Sequence, residues 1–337
     1  MPDVWSYPAA RPARDRFVLE RRGPRAEHDP WRFQGLIVED ERAAGATIDR
    51  LATVFLTGRE CPWHCTMCDL WKHTTAGDTP RGAIAAQINA ARANLRKRAE
   101  SIDGMKLYNA GSFFDPRAVP EADYDDIARA LTGLSRVIVE SHPALVGVRV
   151  DRFRTALDRQ DPGRSVALEV AMGLETAHPE ALDGLNKGFT LAGFAGAGQA
   201  LRERGIALRV FLLISPPFIA PDEQDPWLLR SLDTSFASGA SVVSLVPTRP
   251  GNGAMEALAE AGMFRPPDLD DIERSFALAL THAAGRGRVF VDLWDLDRFA
   301  HCKCCFAERH ARMAAMNLQQ NILSQRPCAS QDHPVVS

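Results

Sequence analysis

The 337-residue sequence contains no apolar run of about 18 residues, the length that a membrane-spanning helix needs, so a membrane span is not expected. It also has no strong excess of either charge, because 40 Lys and Arg stand against 43 Asp and Glu. This balance does not require a polyanionic partner, although it allows a local basic patch. The N-terminal residues Met-Pro-Asp-Val-Trp lack the basic-then-apolar order of a secretion signal, so the expected location is cytoplasmic.

Cysteine is scarce but clustered. Two tight groups contain all but one of the cysteines: Cys61, Cys65 and Cys68 form the first, Cys302, Cys304 and Cys305 the second, and Cys328 stands alone. A disulfide framework is typical of small secreted chains and spreads its cysteines along them. In a reducing compartment, clustering of this kind favours metal binding over disulfides.

The chain from about residue 50 onward alternates short apolar segments with longer amphipathic ones. The predicted strands are residues 52–56, 105–108, 136–140, 165–172, 207–214, 241–246 and 289–291. The predicted helices are residues 81–99, 122–134, 145–158, 191–204, 226–237 and 268–284. The strands are apolar and β-branched without clean polar alternation, which is typical of parallel strands buried on both faces. The pattern predicts an α/β fold, a partial (β/α)6 TIM-like barrel over residues 46–290, with its chemistry at the C-terminal ends of the strands.

The two flanking segments have a different character. Residues 1–45 are rich in Arg and Pro, and we expect an irregular N-terminal arm on the main body, with a disordered tail as the alternative. Residues 291–337 are expected to form a short C-terminal extension that carries the second cysteine group and a helix over 306–323.

The first cysteine group lies in the loop after the first predicted barrel strand. Its spacing is C-x3-C-x2-C, from Cys61 through Cys65 to Cys68. A [4Fe–4S] cluster usually takes four Cys ligands, so three leave one iron open, as catalytic metal sites require. The alternative is a structural zinc site with His64 or His73 as the fourth ligand. Zinc sites usually come as paired C-x2-C units, so the spacing favours the cluster.

This loop resembles the radical S-adenosylmethionine (SAM) superfamily, whose members carry C-x3-C-x2-C at this point of a partial β/α barrel. The resemblance implies that SAM chelates the open iron. It also implies that an electron from the reduced cluster cleaves SAM to methionine and a 5′-deoxyadenosyl radical, which abstracts hydrogen from a substrate. The protein would then position and shield chemistry that belongs to the cofactor.

Further segments match in the same order along the chain. They resemble the group of the Elongator catalytic subunit and the radical SAM subunit of archaeosine synthase, a tRNA-modifying enzyme, over roughly residues 50 to 250. The segments are Asn109–Pro116, Glu140–Pro143, Gly173–Thr176, Leu185–Thr190 and Pro247–Met255. Too few residues follow the barrel for the acetyltransferase domain of the Elongator subunit, so acetyl transfer is not expected.

The resemblance assigns expected roles toward SAM. The turn that contains Asn109, Gly111 and Ser112 is expected at the SAM amino group. Glu140 is expected to contact SAM, Glu175 to reach the ribose or methionine part, and Lys187 to pair with the carboxylate.

Arg209 is an ionisable residue inside an apolar strand, so it is expected to face the barrel lumen and a carboxylate, and it is grouped with the SAM-binding residues. Ordinary salt bridges at the barrel rim are the alternative for Glu140, Glu175 and Arg209.

In the second cysteine group, Cys302 and Cys305 form a C-x2-C pair. This pair predicts a second metal, zinc or an Fe–S cluster, with Cys328 or His310 completing the set. Thiols that merely pack or face solvent are the alternative.

The expected activity is therefore a radical SAM reaction on an RNA base or a small metabolite, with SAM and a reductant such as flavodoxin or ferredoxin as partners. A metal-binding RNA-binding or scaffold protein without SAM chemistry is the competing function. The two differ in metal, since the enzyme requires iron and sulfide and the competitor would hold zinc.

Overall fold

A sheet of eight strands forms the centre of this computed structural model, which describes residues 7–160, 162–163 and 166–324. The strands are β1 Gly35–Arg42, β2 Ile48–Leu56, β3 Gly104–Asn109, β4 Arg136–Glu140, β5 Ala167–Glu175, β6 Ala207–Ile214, β7 Ala240–Pro247 and β8 Arg288–Val291. They lie side by side in chain order; β1 is antiparallel to β2, and all other neighbours are parallel.

Ten α-helices are present in the described part of the chain. They are α1 Arg11–Glu20, α2 Ala83–Lys97, α3 Tyr124–Ala130, α4 Val148–Gln160, α5 Pro179–Gly184, α6 Leu191–Glu203, α7 Gln224–Ala237, α8 Ala254–Glu260, α9 Leu269–Ala283 and α10 Phe306–Gln319. Local sequence sets several of their ends. Thr190 caps α6 by accepting a hydrogen bond from the Gly193 N–H, and Asp268 caps α9 in the same way through the Asp271 N–H.

The sheet is strongly curled, as contacts across its interior show. The Glu41 carboxylate on β1 lies 2.6 Å from the Arg209 guanidinium on β6 and 2.8 Å from the Lys106 ammonium on β3. In a flat sheet five strand spacings separate β1 from β6, or roughly 24 Å. The strands therefore curve around a lumen, and the predicted partial barrel is confirmed.

Helix α10 covers the seam between the two edge strands, β1 and β8. The Asn317 side chain makes 2.9 Å hydrogen bonds with both the N–H and the C=O of Val291, and Gln320 does the same with Val289 at 2.8 Å. Across the seam, Arg288 on β8 donates to the Arg42 carbonyl on β1 at 2.8 Å. The amide side chains thus satisfy the backbone groups that an edge strand leaves unpaired.

The expectation of an irregular arm over residues 1–45 was wrong, because this segment contains α1 and β1, and β1 belongs to the barrel sheet. Leu36 and Val38 of β1 pack against the hydrophobic core, while Glu39 and Glu41 point to the opposite face and meet lumen cations. Carboxylates in the strand hid its apolar alternation. The short helices α5 and α8 were also missed.

Candidate functional site

The loop that follows β2 carries Cys61, Cys65 and Cys68, and it packs tightly against the turn after β3. The Cys61 N–H donates to the Ala110 carbonyl at 3.1 Å. A Cβ at Gly111 would lie only 2.2 Å from the Arg59 carbonyl oxygen. The glycine of this turn is therefore required by the close approach of the cysteine loop.

Two loops at the C-terminal ends of other strands hold the same segment. The Thr66 N–H donates to the Leu185 carbonyl at 3.0 Å. The Asn252 amide donates to the carbonyls of Thr66 at 2.6 Å and Cys68 at 3.2 Å, and its oxygen accepts from the Met255 N–H. Asn252 thereby fixes the backbone between two of the cysteines, a role that the sequence analysis did not assign to it.

The N-terminal segment, with Tyr7 and helix α1, also contacts the cysteine loop and the turn that supports it. The Tyr7 hydroxyl lies 2.7 Å from the Thr66 hydroxyl and donates to the Gly184 carbonyl at 2.7 Å. Arg14 on α1 is buried and pairs with Asp183 at 2.6 Å. Helix α1 is thus tied to the same turn that supports Thr66.

The three thiols of this loop are partly buried, and burial raises the pKa of each to about 12. A bound metal deprotonates coordinating thiols outright, so they would become thiolates on binding one. Their sulfur atoms are not all within 4.8 Å of one another. Two sulfurs on a single zinc ion, each at about 2.3 Å, cannot be more than roughly 4.6 Å apart. The three thiols, as they are placed, therefore do not form a ready-made site for a single zinc ion.

A buried group of charges lies beside these thiols at the ends of β4 and β5. The Lys187 ammonium is 2.5 Å from the Glu175 carboxylate, and both side chains are largely buried. Burial alone would lower the pKa of Lys187, but Glu175 and the thiols of Cys65 and Cys68 raise it above its usual value. The ammonium therefore stays charged next to the cysteine loop.

The backbone at Glu175 is strained in a way that aims its side chain. Its φ is +69°, a left-handed conformation that residues with a Cβ rarely adopt, and the pairing register of β5 shifts between Gly173 and Glu175. A Cβ at Gly173 would lie 2.1 Å from the Glu175 carboxylate oxygen and 2.6 Å from the Lys187 ammonium. Backbone outliers of the kind seen at Glu175 cluster at functional sites. The missing Cβ of Gly173 leaves room for the ion pair.

Glu140 at the end of β4 belongs to the same group. Burial and repulsion from Glu175 raise its pKa to about 8, although the Asn109 N–H and Lys187 pull it down. The Asn109 side chain is also buried, and neither its nitrogen nor its oxygen has a hydrogen-bond partner within the described chain. An unpartnered buried amide is costly, so this group fits a polar ligand that would complete it.

His142 ties the parts of the site together. Its ring stacks on Trp63 of the cysteine loop at 3.6 Å, and its Nε2 donates to the Lys187 carbonyl at 2.9 Å while Nδ1 accepts from the Ala144 N–H. Burial lowers its pKa to about 4, so the ring is neutral at pH 7. The sequence analysis included His142 in the matching segment Glu140–Pro143 but predicted no role for its imidazole.

The structure brings Cys61, Cys65, Cys68, Asn109, Glu140, Glu175 and Lys187 to one end of the barrel. Ser112 lies there too; its φ is +62° and its hydroxyl accepts from the His142 N–H at 3.1 Å. Contacts between these residues and SAM stay predictions.

Arg209 is not brought to this group. It faces the lumen and carboxylates as expected, but its partners are Glu169 on β5 and Glu41 on the antiparallel strand β1, at the level of the N-terminal ends of the parallel strands.

The second cysteine group is compact. The sulfur atoms of Cys302, Cys304 and Cys305 all lie within 4.8 Å of one another, so Cys304 joins the predicted pair. His310 on α10 is not in this set, and Cys328 lies outside the described residues.

No protein-family model matches the chain. Among curated proteins, archaeosine synthase subunit beta of Methanosarcina acetivorans is 29% identical over 225 residues, which cover 64% of this chain and 62% of that protein. The subunit of the same name from Thermococcus kodakarensis is 27% identical over 163 residues, 46% of this chain and 48% of that one. Protein YhcC of Escherichia coli is 26% identical over 214 residues, 61% of this chain and 63% of YhcC.

The chain thus spans less than two thirds of these relatives. They confirm the recognition made from the motifs: in sequence the chain is similar to the archaeosine-synthase group of the radical SAM superfamily.

Solved structures with a similar shape include Methanocaldococcus infernus Elp3 with an N-terminal deletion. It has a TM-score of 0.49 and 13% identity, and the match covers 70% of this chain and 59% of Elp3. Coproporphyrinogen III oxidase (HemN) from Escherichia coli, a radical SAM enzyme, has a TM-score of 0.47 and 14% identity over 67% of this chain and 52% of HemN.

None of the helices in the described part of the chain is both long enough and apolar enough to cross a membrane.

Proposed function

We propose that this protein is a radical SAM enzyme in which Cys61, Cys65 and Cys68 hold a [4Fe–4S] cluster. The proposal rests on one observation: the three thiols of the C-x3-C-x2-C loop share one end of the barrel with buried charged and unpartnered polar side chains. In a β/α barrel this end is where chemistry takes place.

The polar side chains beside the thiols match the groups of SAM. The Lys187 ammonium supplies a buried cation for a carboxylate, and Glu175 holds it in place. The Asn109 amide and the Glu140 carboxyl offer a donor and acceptors for an amino or hydroxyl group. A polar ligand in this position would satisfy the Asn109 amide, which no described residue does.

When bound and reduced, the cluster would supply the electron that cleaves SAM to methionine and a 5′-deoxyadenosyl radical. The chain itself would hold the cluster and SAM in position and keep water out of the site. Tyr7 and Asn252 hold the cysteine loop by hydrogen bonds, His142 stacks on its Trp63, and ion pairs fill the N-terminal part of the barrel lumen. A reductant such as flavodoxin or ferredoxin would deliver the electron.

Anaerobic reconstitution with iron and sulfide tests the cluster. We expect a brown protein with about four iron and four sulfide per chain. Cys65→Ala should lose both, whereas Cys304→Ala, a thiol change outside this loop, should keep them. A colourless wild-type protein that holds zinc in the first cysteine loop would contradict the proposal and favour a metal-binding scaffold without SAM chemistry.

For the substrate we propose a nucleoside of RNA, acted on together with a partner subunit. The support is similarity to two proteins named archaeosine synthase subunit beta. Bulk tRNA added to the reconstituted protein should increase the rate of 5′-deoxyadenosine formation severalfold, and tRNA digested to nucleosides should show whether the polymer is needed. No stimulation by either preparation, with SAM cleavage intact, would point to a small metabolite instead.

A further inference from the structure

The second cysteine group differs from the first in the spacing of its sulfur atoms. Cys302, Cys304 and Cys305 place all three sulfurs within 4.8 Å of one another, and the sulfurs of Cys302 and Cys304 are 2.8 Å apart. Three thiolates on one zinc ion, each about 2.3 Å from the metal, lie about 3.8 Å apart in a tetrahedron. This set is therefore compact enough for a single ion, in contrast to the first cysteine loop.

The position of the group follows from how α10 pairs with β8. Asn317 is bonded to Val291 and Gln320 to Val289, so α10 runs antiparallel to β8. Val291 is the C-terminal end of β8, and α10 extends from Asn317 back to Phe306, about 16 Å toward its own N-terminus. The cysteines that precede Phe306 therefore lie on the side of the barrel where the first cysteine loop is found.

Helix α10 is fixed by its contacts with α9 and with the hydrophobic core. Arg309 and Arg312 pair with Glu273 on α9 at 2.7 and 3.0 Å, and Met313 and Met316 are buried. Residues 300–305, in contrast, contain no buried side chain. A bound ion would fix the cysteines of this segment, whose side chains are not buried in the core.

We propose that Cys302, Cys304 and Cys305 bind one zinc ion as thiolates, separate from the iron–sulfur site. Thiolates are preferred zinc ligands, and three of them leave one tetrahedral position for a further ligand. The bound ion holds the segment between β8 and α10 in a fixed position at the rim of the barrel. Zinc binding replaces the three thiol protons and involves no oxidation or reduction.

Metal analysis of the full-length chain tests this proposal. The protein is prepared anaerobically, washed with chelator, and assayed for zinc and iron separately. We expect about one zinc per chain in the wild type, in Cys65→Ala, which should lack the cluster, and in Lys303→Ala, a non-thiol change in the same loop. The combined Cys302→Ala, Cys304→Ala and Cys305→Ala variant should lose at least nine tenths of the zinc and still take up iron and sulfide.

Two results would overturn the proposal: wild-type protein with less than a tenth of a zinc per chain, or zinc that survives loss of the three thiols. If the triple variant does not fold, cobalt titration of the wild type replaces it. One Co²⁺ per chain should then give the intense thiolate-to-cobalt absorption of a tetrahedral site. A titration without that absorption, or a disulfide between Cys302 and Cys304 in anaerobic protein by mass spectrometry, would refute it as well.

Discussion

Gly173 occupies a position where any side chain would collide with the Glu175–Lys187 ion pair. We expect Gly173→Ala to displace this pair and to weaken SAM binding tenfold or more, with the iron content unchanged. Gly196→Ala is the matched control, because a Cβ there meets nothing within 4 Å and α6 favours Ala. Equilibrium binding of SAM to both reconstituted variants checks this. Equal SAM affinities of the two variants would show that the Glu175–Lys187 ion pair does not contribute to SAM binding.

His142 makes stability depend on pH. Its pKa is about 4 in the folded protein and 6.5 when exposed, so between these values the unfolded chain binds more protons. The contribution of the neutral ring to stability is therefore present above pH 6.5 and is lost as the pH falls toward 4, by about 2–3 kcal/mol. Denaturant unfolding of the metal-free chain at pH 7 and pH 4.5 measures the loss, which should be smaller in His142→Gln. An equal loss in both proteins would show that His142 is not the group responsible.

At the scale of elements, helix α1 acts as a cover for the cysteine loop. Arg14, buried on this helix, donates to the backbone and side chain of Asp183, and Tyr7 reaches Thr66. Without Arg14 the helix loses its two hydrogen bonds to Asp183, so oxygen should reach the proposed cluster faster. We expect Arg14→Ala to lose visible cluster absorbance in air severalfold faster than the wild type. Arg16→Ala, on the exposed face of the same helix, should behave like the wild type; equal rates in the two variants would argue against the cover.

The sequence predicted the parallel elements well because each carries its own local signal. Strand β4, for example, is apolar and ends before Pro143, and α6 is preceded by its N-cap Thr190 and followed by Gly205. Strand β1 gave no such signal, because its charged residues are paired only once the sheet has curled. Long-range contacts of this kind cannot be inferred from neighbouring residues.

In the candidate site, too, residues with a local sequence signal were predicted, and residues that depend on long-range contacts were not. Spacing alone predicted the first cysteine loop, and the family resemblance pointed to Glu140, Glu175 and Lys187, whose contacts with SAM stay predictions. The residues that hold this loop, such as Asn252 and Tyr7, were missed because their partners are more than 50 residues away in sequence. Arg209 was expected near the SAM-binding residues, and its strand was predicted correctly. Its partners, Glu169 and Glu41, could not be predicted because they come together only when the sheet curls.

At the scale of the whole molecule, an ion-pair network fills the N-terminal part of the lumen. Arg209 joins Glu169 and Glu41, and Arg136 pairs with the same two carboxylates, all of them buried. Arg209→Met would leave two buried carboxylates short of a cation, so we expect a loss of about 3–5 kcal/mol in the free energy of unfolding. Urea unfolding measures it. SAM affinity of the folded variant should change less than twofold, and a larger drop would return Arg209 to the SAM site.

The thiols of the first cysteine loop are proposed to support reductive cleavage of SAM. The most direct measurement is 5′-deoxyadenosine formation by the anaerobically reconstituted protein with SAM and dithionite. We expect 5′-deoxyadenosine and methionine in equal amounts from the wild type, and none from Cys65→Ala. A reconstituted wild type that leaves SAM intact, or a Cys65→Ala variant that still cleaves it, would show that these thiols do not support SAM cleavage.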